Sequence, residues 1–457
     1  MDPTVTILSP TAILGYGFPE RSFLSGMARQ PDAIVVDAGS TDPGPYYLGS
    51  GKSFTDRDSV KRDLCLIIEA GLTANIPVLV GSAGGAGALP HLNWCLSIVE
   101  EVLRDLNKQA RVAVIAADQP KQQVLDAYRQ GLLTPLGSAH DLSCQAIKDS
   151  SYIVAQMGVE PLIKALELNA EIIVAGRCYD PAVFAAVPIM QRLPAGLALH
   201  MGKILECAAI AAVPGSGSDC MLGTIDRKGF VLEALNPERS CTVTSVAAHT
   251  LYEKADPRHL PGPGGALDLT NCQFIALDSG RVRVTGTKLI NRGVYSVKIE
   301  AARPIGFRTI SVAGIRSPDL IASLDEVLES VRHKVWANFN ALTDAQAHLL
   351  FRCYGRDGVM GALEPKRFQP VHEIGLVIEV TAESQKLADT LCSFTRSTLL
   401  HFGFQGRQAT AGNLAFPYSP SDLPQGVVYE FSLYHLMHIN DPLAPFPVTI
   451  RNLGAKE

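Results

Sequence analysis

Five short runs constrain this chain more than anything else in it: Val5–Leu8, Ala33–Asp37, Pro77–Gly81, Val112–Ala116 and Glu171–Ala175. Each is rich in Val, Ile and Ala and shows no polar–apolar alternation. A strand with water on one face alternates; a strand covered on both faces does not. Between and after the runs lie amphipathic stretches: Phe18–Arg29, Asp58–Ala74, Pro90–Asn107, Lys121–Gln130 and Ser143–Leu168. Asp58 and Asp141 are suited to cap helix starts, and Pro120 to a first helical turn. Parallel strands need a crossover, which helices supply, so the pattern predicts βαβ units: an α/β fold with a Rossmann-like, mostly parallel sheet flanked by helices.

The chain has 457 residues, too many for one ordinary domain. Hydrophobic residues make up 47% and charged residues 19%, so a large core is available and disorder is excluded. From Asp180 to Ala266 the pattern predicts an apolar helix around Met201–Ala212. It also predicts a hairpin of Asp219–Thr224 with Phe230–Ala234, turned by Arg227-Lys228-Gly229. Pro261-Gly262-Pro263-Gly264-Gly265 is the strongest linker signal and sets the expected domains at 1–265 and 266–457. Beyond it, Arg281–Val284 and Ser296–Ile299 alternate as half-exposed antiparallel strands do. A helix at Ser317–Phe339, strands at Leu349–Tyr354 and Ile374–Val380, a helix at Ser384–Leu400 and a strand at Val427–Leu433 complete a smaller α+β, ferredoxin-like domain.

A formal net charge of −5 argues against nucleic acid and against a polybasic membrane surface as partners. No apolar run reaches the ~20 residues of a membrane span. The ten cysteines form no CxxC pair, and the first residues lack the features of a secretion signal. A reducing, cytoplasmic setting is expected.

In an open α/β sheet ligands bind beyond the carboxyl ends of the strands. The second strand runs into a loop from Asp37 to Lys52 that carries Ser40, Thr41, Asp42, Tyr46 and Tyr47. Either this loop binds substrate, or Asp37 merely caps its own backbone. The third strand ends in Gly81-Ser82-Ala83-Gly84-Gly85-Ala86-Gly87 before a helix. That turn is neither a P-loop nor a GxGxxG motif. It either cradles an anion through backbone amides, with Ser82, Gly84 and Gly85 at its centre, or packs strand against helix closely. The last run ends in Gly176-Arg177-Cys178-Tyr179-Asp180. Arg177 is placed to hold a carboxylate, or to bridge to Asp180, and Cys178 is a weaker candidate nucleophile.

Two later clusters add proton carriers. Lys203 and Glu206 share one face of an otherwise apolar helix, as a buried ion pair or as a tuned acid and base. His249 lies four residues before Glu253 and beside Tyr252, giving a general base oriented by a carboxylate if the segment is helical. Desolvation is expected to raise Asp37 and lower Lys203, which ranks these two above Glu206 and His249 for catalysis. Arg356 is expected in a turn from which it could reach a substrate, and His435 and His438 suit a surface or interface better than a metal. Nothing in the sequence requires a cofactor, and a divalent metal is left open.

Together the stretches DAGSTDPGPYYLGSGKSF, GSAGGAG, AGRCYDPAVFAA, ALHMGKILECAAIAAVPGSGSDCMLGT, TSVAAHTLYEKADP and LPGPGG resemble the acyclic terpene utilisation (AtuA) family. YGRDGVMG, RSTLLHFGF, TAGNLAFPYSPSD and VYEFSLYHL resemble the ferredoxin-fold region that follows in many members. The resemblance implies a catabolic setting for branched acyclic compounds and assigns no catalytic residue. The residues favour an enzyme acting on a small carboxylated or acyl substrate, CoA-linked or free, by proton abstraction next to the carboxylate or thioester. A lyase, hydratase or isomerase would result. The alternatives are a hydrolase or acyl transferase using Ser40, Ser82 or Cys178, and a non-catalytic subunit of a catabolic complex. A small anionic or acyl ligand and a homo-oligomer are expected; nucleic acid and membrane are not.

Overall fold

The computed structural model describes residues 3–137, 142–253, 255–291, 293–343, 346–408 and 411–454. The chain forms two compact units, Met1–Arg303 with Phe431–Glu457, and Pro304–Glu430.

The first unit is built on a ten-stranded sheet. Its centre is five parallel strands in the order Val5–Ser9, Ala33–Asp37, Val78–Gly81, Ile172–Ala175, Gln109–Ile115. These are the five runs that lack alternation. Their alternate residues feed two separate cores. Ile7, Ala33, Val35, Leu79, Ile173 and Ala175 join one, with the helices Lys121–Arg129, Glu160–Glu167, Asp180–Met190 and Ala195–Leu205. Leu8, Ile34, Val36, Val80, Ile172 and Val174 join the other, with Glu20–Met27, Arg57–Ala74 and Leu89–Asp105. Helices on both faces are why the buried stretches of these strands are so largely apolar.

Antiparallel strands extend both edges, so the sheet is mixed. On one side Met221–Ile225 pairs with Val5–Ser9, followed by Gly229–Ala234, Arg281–Thr285 and Gln273–Ala276. On the other side the late strand Val448–Gly454 pairs with Gln109–Ile115, in register Ile450 to Ala113.

Several elements differ from expectation. Ser143–Leu168 is not one helix. Ser143 caps Cys144–Asp149, Tyr152–Ala155 is a strand, and Glu160–Glu167 is a second helix. The β-prone Tyr152-Ile153-Val154 pairs with Ala302-Ala301-Glu300 of Tyr295–Ile315, a tertiary partner that local periodicity cannot reveal. Asp56, not Asp58, caps Arg57–Ala74 by accepting from the Ser59 amide. Asp141 lies outside the described residues. Pro120 stands just before its helix, at the cap position. The apolar helix ends at Leu205 and a short 3-10 turn, Ala208–Ala211, follows. Pro261–Gly265 is not a linker between compact units. It closes a tight hairpin of His259–Gly262 with Gly265–Asp268, and the units divide instead at Arg303/Pro304 and Glu430/Phe431.

The second unit, Pro304–Glu430, carries antiparallel pairs of Ala347–Tyr354 with Ile374–Ala382, and of the latter with the 307–315 part of Tyr295–Ile315. Helices Leu324–Asn338 and Gln385–Leu400 supply its core through Val327, Val331, Leu391 and Leu399. The expected helix Ser317–Phe339 breaks at Ser323, leaving Pro318–Ala322 and Leu324–Asn338. Among the described residues, no helix is long and apolar enough to cross a membrane.

Candidate functional site

Three parallel strands end side by side and deliver Asp37, Ser82 and Arg177 to one edge of the sheet. Asp37 pairs in register with Gly81, and a side chain at Gly81 would press on Val183 at 2.4 Å and lie 3.4 Å from Asp37 Oδ1. The chain leaves the third strand through Ser82 at φ 47°, a left-handed conformation costly for a residue with a side chain. Gly84, Gly85 and Gly87 continue with φ of 64°, 91° and 67°. A Cβ on Gly87 would lie 2.2 Å from the Arg177 amide nitrogen, and one on Gly85 would lie 2.7 Å from the Phe54 ring. The turn therefore packs flat against Arg177. The Ser82, Ala83 and Gly85 amides already donate to the carbonyls of Gly176, Ala175 and Ser82, so these three are not open to an anion.

Arg177 is 2% exposed and lies between two carboxylates. Its Nε donates to Glu300 Oε2 at 2.9 Å, and its Nη1 to Asp180 Oδ1 at 2.7 Å, Ser82 Oγ at 3.1 Å and the Cys178 carbonyl at 2.9 Å. Glu300 is wholly buried; its other oxygen accepts from Thr41 Oγ1 at 2.9 Å and pairs with Lys298 Nζ at 2.7 Å. Lys298 in turn donates to Tyr434 OH at 2.9 Å and lies over the Tyr434 ring. Burial alone would raise the Glu300 carboxyl, but Arg177 and Lys298 outweigh it and hold the pKa at about 2.

A second group lies on Ala195–Leu205 and Val243–Leu251. Lys203 Nζ meets Glu206 Oε1 at 2.5 Å and lies 5.5 Å from the centre of the Tyr252 ring, which stacks on His249. The expected lowering of Lys203 does not occur. Burial pushes that way, but the Glu206 carboxylate outweighs it and the ammonium titrates above the usual lysine range. Burial, then the Lys203 charge, pull His249 down to about 4, so its imidazole is neutral, and its Nε2 has no partner among the described residues. Glu253 does not orient His249: the helix ends at Leu251 and Glu253 turns away at φ 59°.

Asp37 belongs to both groups. Its Oδ2 accepts from the Gly39 amide at 3.1 Å, while its buried Oδ1 has no partner among the described residues. Burial above all, then the charges of Asp180 and Glu206, raise its pKa well above the carboxylate range despite the opposing pull of Arg177.

The other candidates stand apart from this cluster. Asp42, Tyr46 and Lys52 are exposed. Ser40 Oγ accepts from the Asp42 amide, and Tyr47 packs edge-on to Phe54. The buried His91 ring holds this loop, its Nε2 lying 3.1 and 3.0 Å from the carbonyl oxygens of Tyr47 and Lys52. The Cys178 thiol donates to the Gly176 carbonyl, and burial pushes its pKa far up, which leaves no thiolate for attack. In the second unit Arg356 is held by Asp325 and Asp357. His435 is buried and accepts from the Tyr434 amide. Among the described residues no group of three or more His, Cys, Asp or Glu could hold a metal ion, and the described cysteines are all free.

Sequence reasoning missed Glu300, Lys298 and Tyr434. Lys298 and Glu300 alternate with Val297 and Ile299, the pattern of a strand wet on one face, yet Glu300 is fully buried. The usable signal was a Lys-x-Glu pair in a strand otherwise made of Val, Ile and Ala.

Fold and site together define an α/β protein with a charged cluster at the carboxyl ends of a parallel sheet core. The model of the acyclic terpene utilisation family protein AtuA matches residues 74–421, and the chain belongs to that family. No curated protein and no solved structure matches it significantly.

Proposed function

We propose that the chain is an enzyme that moves a proton next to the carbonyl of a small carboxylated or acyl substrate, as a lyase, hydratase or isomerase in the breakdown of branched acyclic compounds. The observation that carries this reading is Asp37, a buried carboxyl at a strand end with one oxygen unpartnered. A carboxyl whose pKa is raised holds its proton more tightly and is suited to pass one to and from a substrate. The neutral His249 and the Lys203–Glu206 pair flank it as candidate partners. Arg177 keeps Nη2 out of the bonds to Glu300 and Asp180 and is the candidate for orienting the substrate.

Family membership supports the catabolic setting. The nucleophile alternative has less support. Ser82 Oγ accepts from both Arg177 and the Cys178 amide, with no histidine bonded to it among the described residues. A binding subunit would have little use for a buried carboxyl with an unpartnered oxygen. The strand order of the second unit supports reading it as ferredoxin-like, and the parallel core of the first supports a Rossmann-like one. We read the protein as a cytoplasmic homo-oligomer with small-molecule partners.

The test is solvent exchange. A panel of branched acyl thioesters and their acids is incubated with the protein in deuterated water and followed by NMR. Wild type exchanges the hydrogen next to the carbonyl, and Asp37→Asn slows exchange by ~10²–10⁴-fold. Absence of exchange and turnover across the panel would sink the reading.

A further inference from the structure

Resting on that proton-transfer reading, we infer that the group meeting Asp37 is an uncharged carbonyl, that of a thioester, ester or amide, and not a free carboxylate. Among the described residues at the strand ends, three cations, Arg177, Lys203 and Lys298, face four acidic groups, Asp37, Asp180, Glu206 and Glu300. Every cation already has a carboxylate: Arg177 has Glu300 at 2.9 Å and Asp180 at 2.7 Å, Lys298 has Glu300 at 2.7 Å, and Lys203 has Glu206 at 2.5 Å. Glu300 serves two of them at once. The lysine of the neighbouring loop, Lys52, is exposed.

A carboxylate entering here would find no unpaired cation among the described residues and would add a fifth acidic group. Burial, Asp180 and Glu206 disfavour charge on Asp37 against the opposing pull of Arg177, and the same surroundings act on any other anion beside it. Three amides of the glycine turn, those of Ser82, Ala83 and Gly85, are taken by backbone carbonyls. A carbonyl oxygen needs only a donor. The Asp37 carboxyl in its protonated form is one, and a hydrogen bond at its buried, unpartnered Oδ1 satisfies a polar atom that otherwise costs stability. This replaces the expectation that Arg177 grips a substrate carboxylate.

The experiment compares 3-methylbutanoate, its primary amide and its N-acetylcysteamine thioester as probes of the full-length protein at pH 7, by calorimetry and by exchange in deuterated water. The amide is nearly isosteric with the acid and controls for the extra surface of the thioester. Amide and thioester are expected to bind at least ~10-fold more tightly than the acid, one pKa unit's worth of discrimination. Asp180→Asn removes one negative charge beside Arg177, so it should narrow that gap, with a thermal melt confirming that the variant folds. Equal or tighter binding of the acid overturns the inference and leaves the proton-transfer reading standing. So does a gap unchanged in a folded Asp180→Asn. If no probe binds and none exchanges, both fall together.

Discussion

Glu300 binds Arg177, Lys298 and Thr41 through two oxygens, so its loss strands two buried or half-buried cations. Glu300→Gln is expected to cost ~3–5 kcal/mol, the usual penalty for breaking a buried pair from one side. Its pH dependence is fixed in sign. The folded pKa, about 2, lies below the ~4.3 of an unfolded glutamate, so the stabilisation is complete above that value and fades as pH falls through 2. Urea titrations of wild type and variant should therefore differ most near neutrality and converge in acid. Asp37 has the opposite sign. Its folded pKa is raised, so its contribution is complete below the unfolded ~3.9 and is lost as pH rises through the folded value. Asp37→Asn should melt progressively higher than wild type as pH increases; a constant offset would mean that Asp37 is not held protonated. The sequence shows the raised Asp37, because a carboxylate ending an apolar run is visible in one dimension. The environment of Lys203 is not visible, because its sign depends on how closely Glu206 approaches.

At the scale of elements, the Gly81–Gly87 turn and the 37–52 loop shape the site differently. Gly87 has both a left-handed backbone and the Arg177 backbone at 2.2 Å from a would-be Cβ, whereas Gly44, at φ 113°, has nothing within 4 Å. Gly87→Ala should lower the melting temperature well beyond Gly44→Ala, which pays backbone strain alone, of order 1–3 kcal/mol. Equal losses would show that the turn does not press on Arg177. The central strands and most of their helices are legible because burial on both faces writes itself locally as an apolar run. The strand at Tyr152–Ala155 is not, since its identity comes from Glu300 and its neighbours far along the chain. The hairpin at Pro261–Gly265 shows the converse: glycine and proline mark a turn, and composition alone does not say whether that turn joins two strands or two compact units.

Across the whole molecule, the first unit gathers residues from both ends of the chain. Arg177 and Glu300 are 123 positions apart, Lys298 and Tyr434 136, and no window of sequence contains either pair. Removing residues 442–457 deletes the Val448–Gly454 strand and bares the Gln109–Ile115 edge that it covers. The shortened chain should unfold at lower urea and self-associate on concentration, measurable by light scattering; an unchanged midpoint would make that pairing dispensable. The same pairing sets a clock on biosynthesis. Translation is vectorial, at ~5–20 residues per second, so Gln109–Ile115 leaves the ribosome on the order of tens of seconds before its partner exists. For that interval the nascent chain presents an apolar strand with one open side, a natural target for holdase chaperones. Synonymous codon changes that slow the ribosome between the two strands would lengthen the exposure without altering a single side chain.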